Sequence, residues 1–429
     1  MTGAGREENG MSGISDRFPR YEEFEPTVPV WCVTPDEGRT IHRFFDTSPF
    51  SPSGRYLALT RFPYEDRMPQ CGDEAEIVLV DLQDGTERVV ARTHGWDTQL
   101  GAQAQWGADD TELFFNDLDV SSWKPFGVKL NPFTGEARRL DGTIYMVSRD
   151  GKRALSPCLL RTARTQRGYG VVVPPEMVPE NRGATDDDGV FLTDTRTGET
   201  RLLVSIGQIV ESLASHLQSP RYEGGDFYGF HVKWNLQGTR IMFVLRWLPR
   251  DEAEKARSIL ITMGADGSDI RIAVPDTEWT DKGGHHPNWC PDGEYGMMNL
   301  RIHGDAMRLV RFRYDGADLA PMHDEIIGSG HPSMHPNGRH IVTDAYPGEP
   351  IAFGDGTVPI RFIDIREGSE QTLARIRTVP PYEGEKRALR VDPHPAWDYQ
   401  FRRIAFNACP DGTRRVYVAD VSELIERCA

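Results

Sequence analysis

The sequence predicts an all-β fold, a seven-bladed β-propeller with four-stranded antiparallel blades. Three observations predict it. A two-hairpin unit recurs along the chain, its turns carry hairpin chemistry, and its glycines return at a blade-sized interval.

The first half of the unit is a short strand, a polar turn and a second strand. Its copies are SPFSPSGRYLALT, AQWGADDTELFFN, MVSRDGKRALSP, VKWNLQGTRIMFV, PNWCPDGEYGMMN, PSMHPNGRHIVTD and PAWDYQFRRIAFN. The second half is an alternating strand, a turn ending in glycine and another strand, as in EIVLVDLQDGTERVV and PIRFIDIREGSEQTLA. The turn glycines Gly85, Gly135, Gly198, Gly267, Gly316 and Gly368 stand roughly 50 to 70 residues apart. Val, Ile, Leu, Phe and Tyr fill the strands, and Asp-Gly and Thr-Gly fill the turns. The seventh copy, RRVYVADVSEL, is short, so a segment from residues 27–45 is expected to supply its outer strand and fasten the ring. One short helix is expected around Ile206–Leu217. Residues 1–25 read as a disordered tail, poor in apolar surface, and 26–429 as a single propeller domain.

Composition narrows the function classes. The 429 residues carry a formal net charge of −16, so no global basic field exists to collect nucleic acid or anionic lipid. Six cysteines without a CxxC pair give neither a disulfide framework nor a zinc finger. No apolar run is long enough to span a membrane, and the polar N-terminus lacks a signal-peptide core. The expected location is the cytoplasm, with neither nucleic acid nor membrane as partner.

A histidine recurs at one position, three residues before the Trp or Met that ends the first strand motif. The cases are His231 (HVKW), His286 (HPNW), His331 (HPSM) and His394 (HPAW), with Gln103 (QAQW) in the second blade. Rotation about the propeller axis brings equivalent positions together, so the four imidazoles are expected at one end of the channel. Converging imidazoles can hold a divalent transition metal or supply a general base. Asp392 is a further candidate ligand, and His335 is expected to be solvated in its turn.

A second cluster lies in blades two and three. HGWDTQLGAQAQW and FFND contribute His94, Trp96, Gln99 and Asn116, and RTARTQRGYG contributes Arg164, Arg167 and Tyr169. The glycines flanking Tyr169 are expected to constrain the backbone and present the phenol. Nearby arginines would favour its charged form.

The HPxW–PDG blades, IHRFFDTSPFSPSGRY, the RGYG loop and GHPSMHPNGRHIVTDAY resemble the seven-bladed polysaccharide lyases. These include oligogalacturonate lyases, ulvan lyases and rhamnose–glucuronate lyases. The resemblance runs from about residue 40 to the end. It implies β-elimination next to a uronic acid, glucuronate for preference: the carboxylate is neutralised, a base takes the C5 proton, and an acid protonates the leaving oxygen. The oligogalacturonate lyase pattern implies His286 as base and His331 and His394 as metal ligands, with Asp392 near the position of an unmatched ligand. The ulvan and rhamnose–glucuronate pattern implies Tyr169 as catalytic residue, His231 beside it and an arginine, Arg167, facing the carboxylate. There the family's paired histidines would fall near Gln99 and Asn116, with His94 as a substitute. The second pattern matches IHRFFDTSP and RGYG better.

Together these readings give catalytic candidates Tyr169, His231, His286 and Arg167, and substrate contacts His94, Trp96, Gln99, Asn116 and Arg164. The metal candidates are His286, His331, His394 and Asp392. The expected cofactor is one divalent ion, Mn, Zn or Ca, with no organic cofactor, and the expected partner is an acidic oligosaccharide. The alternative is a non-catalytic TolB-like propeller that binds a glycan or protein through the same face.

Overall fold

The computed structural model describes residues 12–302, 304, 306–382 and 385–427. These residues form seven four-stranded antiparallel sheets. Each of the first six sheets follows the chain outward. The first runs Thr40–Ile41, Tyr56–Arg61, Ala75–Asp81 and Thr86–Thr93, and the fifth runs Gly284–Trp289, Tyr295–Leu300, Arg308–Arg313 and Ala320–Pro321. Continuous apolar runs bury both faces against the neighbouring blades: Ile77, Val78, Leu79 and Val80 are all buried.

The seventh sheet contains Ala396–Trp397, Arg403–Ala408 and Arg415–Asp420 and takes its fourth strand, Val30–Cys32, from the other end of the chain. Val30, Trp31 and Cys32 pair antiparallel with Ala419, Val418 and Tyr417. The closing strand expected within residues 27–45 is therefore present. Ordered chain begins earlier than residue 26, however. Helix Ser12–Arg17 turns Ile14 and Phe18 into a cluster with Trp31, Val33, Val78 and Val80, and Tyr21 is buried against the closing blade. Their spacing supplies the apolar face that mean composition hid. Residues 1–11 of that tail lie outside the described residues. The expected helix appears as two turns, Ile206–Ser212 and Ala214–Leu217, the first capped by Ser205 and Gln208 in a reciprocal box.

Two repeated devices join the blades. The indole N–H groups of Trp106, Trp289 and Trp397 donate to carbonyls of the preceding blade, at Pro49, Lys233 and Ser333. In addition, a polar side chain at the fifth position from the start of the second strand motif reaches the innermost strand of the next blade. Thr60 accepts from Ala102 N, Asn116 from Ile144 N, Asp344 from His394 N and Asn407 from His42 N, and Asn299 donates to the Gly330 carbonyl. These bonds satisfy backbone groups that the short inner strands leave unpaired.

Phe44 and Phe45 close the channel near its middle, their centroids 4.5 Å apart. Beneath them Asp46 pairs with Arg43 at 2.5 Å and with Lys233 at 2.9 Å. Burial pushes the Asp46 carboxyl up, but the two cations outweigh it and hold the group ionised. His335, expected to be solvated, is half-buried: its ring packs on Trp397 and Phe401 with centroids 5.3 and 5.6 Å away. The five described cysteines are free. Among the described residues no helix is long and apolar enough to cross a membrane.

Candidate active site

All four repeated histidines stand around Phe44. Its ring centroid lies 5.4 Å from His231, 6.4 Å from His286, 5.9 Å from His331 and 4.6 Å from His394. Adjacent rings touch: His286 and His331 are 3.9 Å apart and His331 and His394 4.2 Å. A shared backbone device aims several of them. Gln103, His286 and His394 all adopt a left-handed φ, of 61°, 57° and 51°, which turns the chain sharply as it enters the inner strand.

His231 and His286 line a cavity of about 410 Å³ on this side of Phe44, together with His285, Tyr169, Tyr346 and Arg390. His286 and His231 have defined partners. The Gly330 carbonyl, an obligate acceptor, lies 2.8 Å from His286 Nδ1 and so places the proton there. Nε2 then keeps its lone pair. Burial, then the neighbouring His331 and His285, hold the His286 pKa well below its ordinary value, so the ring is neutral. His231 Nδ1 bonds the Tyr145 hydroxyl, and burial followed by Lys233 and Arg246 keeps this ring neutral too.

Tyr169 sits between Gly168 and Gly170, whose φ values of 94° and 85° bear out the constrained backbone. A Cβ on Gly170 would lie 2.5 Å from the Leu159 carbonyl. The loop is tied down further by Asp97, which accepts from Gly170 N at 2.9 Å. The phenol is buried, not exposed, and burial raises its pKa; Arg390, donating to the hydroxyl at 3.2 Å, acts in the opposite direction. Tyr169 is thus a protonated phenol, correcting the phenolate expected from its arginine neighbours in sequence.

Those arginines point elsewhere. Arg167 is exposed and pairs with Glu385, and Arg164 binds the Pro179 and Val178 carbonyls and Glu180. Two guanidinium groups do line the cavity, those of Arg246 and Arg390, and the sequence reading missed both. Arg246 donates to the Thr165 carbonyl and to Gln166 Oε1, while Arg390 lies in a connection outside the repeat. The expected substrate contacts of blade two are structural. Trp96 stacks on Phe62 and donates to the Asp73 carbonyl. Gln99 donates to the Ala388 carbonyl at 2.6 Å and so braces the segment carrying Arg390. Asn116 clasps the Ile144 backbone through both amide atoms. His94 lies beside Glu74, outside the cavity lining.

His331, Asp392 and His394 form a buried group whose potential ligand atoms all lie within 4.8 Å of one another. Their chemistry fits a divalent ion. His331 gives its Nδ1 to Asp344 and keeps Nε2 outward, the usual orientation of a carboxylate-braced ligand. Both ring nitrogens of His394 are buried without a hydrogen-bond partner among the described residues. His286, expected as a fourth ligand, is outside this group and meets Tyr346 instead, whose hydroxyl stands 3.3 Å from His286 Nε2 and 3.4 Å from His331 Nε2.

No family model and no curated protein matches the sequence. Solved structures do. An oligogalacturonate lyase in complex with manganese aligns over 95% of this chain and 97% of that chain, with 15% identity and a TM-score of 0.65. The fold is similar to that of this lyase. A second such lyase, from Vibrio parahaemolyticus, aligns over the same shares with 14% identity and a TM-score of 0.63. The tricorn protease aligns over 89% of this chain but only 34% of its own, with 10% identity and a TM-score of 0.51.

Proposed function

We propose that the protein is a lyase that cleaves the glycosidic bond next to a uronic acid, galacturonate or glucuronate, by β-elimination. One observation carries the reading. His286, a neutral imidazole with its lone pair on Nε2 beside the Tyr346 hydroxyl, and Tyr169, a protonated phenol, line the same cavity as a guanidinium, Arg390. Elimination needs those three parts: a base for the C5 proton, an acid for the leaving oxygen, and a cation on the carboxylate that makes the proton acidic.

His286 Nε2 takes the proton, and the Gly330 carbonyl steadies the imidazolium that results through Nδ1. Tyr169 gives its proton to the leaving oxygen while Arg390 stabilises the phenolate left behind. With Tyr145 donating to Nδ1, His231 presents Nε2–H as a donor to a sugar oxygen. A divalent ion held by His331, Asp392 and His394 would add a second positive charge next to the cavity. Two imidazoles and one carboxylate suit Mn or Zn better than Ca, which prefers an all-oxygen shell. The solved oligogalacturonate lyases of the same fold, one of them with manganese, support the reading. A cytoplasmic location and short oligosaccharides as substrates go with it.

The test is a rise in ultraviolet absorbance from the unsaturated uronate when the protein meets pectic, ulvan-type and glucuronate-capped oligosaccharides. The rise should vanish in His286→Ala. No rise on any of the three overturns the proposal.

A further inference from the structure

One carboxylate oxygen stands between a guanidinium and an imidazole. Asp392 Oδ2 accepts from Arg390 Nε at 2.6 Å, and the same oxygen faces His394 Nε2 at 3.8 Å. The Asp392 side chain is 4% exposed, so its charge needs a partner within the protein. Arg390 now supplies that partner, and also donates to Tyr169 at 3.2 Å from the wall of the cavity. On the other side wait His331 Nε2 and an imidazole, His394, whose nitrogens have no hydrogen-bond partner among the described residues.

We propose that Asp392 passes between two cations. Arg390 holds it in the ion-free protein; a divalent ion at His331, Asp392 and His394 takes it over, and the released Arg390 guanidinium turns to a carboxylate ligand in the cavity. An ion and a guanidinium drawn to one carboxylate oxygen repel each other at short range, in a buried setting that screens them little. A guanidinium deprived of its carboxylate is matched best by another carboxylate, which it binds through two parallel N–H bonds. Ion and anionic sugar therefore bind cooperatively, and each strengthens the other by the same factor. The sugar half of this inference rests on the lyase reading, while the ion half does not.

The experiment titrates chelator-treated protein with Mn²⁺ or Co²⁺ by calorimetry, without turnover. It compares wild type, Arg390→Gln, Arg390→Lys and Asp392→Asn, each with and without saturating galacturonate. Arg390→Gln, relieved of the competing cation, should bind the ion about tenfold more tightly than wild type, and Asp392→Asn about tenfold more weakly. Arg390→Lys, still charged, should stay near wild type, which separates charge from general loosening. Galacturonate should tighten ion binding roughly fivefold or more in wild type and leave Arg390→Gln unchanged. Equal or weaker ion binding by Arg390→Gln overturns the proposal, because Arg390 would then orient Asp392 for the ion. Absence of ion binding in every form, or of any galacturonate effect in wild type, overturns it as well. Cleavage of uronate glycans, read separately, decides the lyase reading whichever way the titration falls.

Discussion

His331 Nδ1 lies 2.9 Å from each carboxylate oxygen of Asp344. Where other blades carry a neutral Asn or Thr as a clasp on the next inner strand, blade six carries an acid that also fixes an imidazole. The bond sets the tautomer of His331 and leaves Nε2 as its outward donor atom. Asp344→Asn keeps the size and a hydrogen-bonding oxygen but loses the charge. It should lower divalent-ion affinity by roughly 10- to 100-fold, read by calorimetry against wild type.

Tyr169 and Arg167 are neighbours in sequence but not in role. Removal of the Tyr169 hydroxyl should cut kcat on a uronate oligosaccharide by roughly 10²- to 10⁴-fold, the usual range for a general acid, with a small change in KM. Arg167→Gln should leave kcat/KM within about twofold, since the exposed side chain pairs with Glu385 outside the cavity lining. Equal losses in the two variants would contradict the assignment.

His42 is fully buried, bonds only weakly to the Pro393 carbonyl, and has its pKa lowered to about 4 by burial. Its folded value lies below the ordinary 6.5, so the neutral ring contributes stability above pH 6.5 that is lost as pH falls toward 4. Across that window the residue adds a slope of about 1.4 kcal/mol per pH unit, with stability rising as pH rises. His42→Leu should flatten the urea-unfolding free energy against pH by that amount between 4 and 6.5, whatever its effect at pH 7.

The ring is closed by three residues, Val30–Cys32. Val30 is fully buried and pairs with Ala419. Val30→Asp places an uncompensated charge in that seam and should cost roughly 3 to 5 kcal/mol, seen as a lower Tm and fragmented, aggregating protein. Val30→Ile should fold normally.

The fold was legible because the blades repeat one instruction: alternating apolar residues, a polar turn, and in five of the seven a Trp or Met at the end of the first strand motif, with Phe50 in that place in the first and Val147 in the third. Rotation then made the histidine cluster legible too, since equivalent positions share an axis. The remainder of the site lies outside the repeat. Tyr346 and Arg390 belong to connections whose direction no periodicity encodes, and Tyr145 was hidden among the apolar residues preceding a short strand. Arg164 and Arg167 misled for a related reason: loop sequence shows proximity to Tyr169, while Glu180 and Glu385 decide where the guanidinium groups go. One signal was available and missed. Aligned on their second strands, Asp344 falls with Asn116, Asn299 and Asn407, the lone acid in that column of clasps.

The chemistry itself is tested most directly by the fate of solvent oxygen. An oligogalacturonate is incubated with the protein in heavy-oxygen water and the fragments are weighed by mass spectrometry. Elimination predicts an unsaturated fragment and a saturated one, neither carrying oxygen from the solvent at the cleaved bond. A saturated pair with solvent oxygen on the new reducing end would show hydrolysis, and with it His286 and Tyr169 would lose the roles assigned to them.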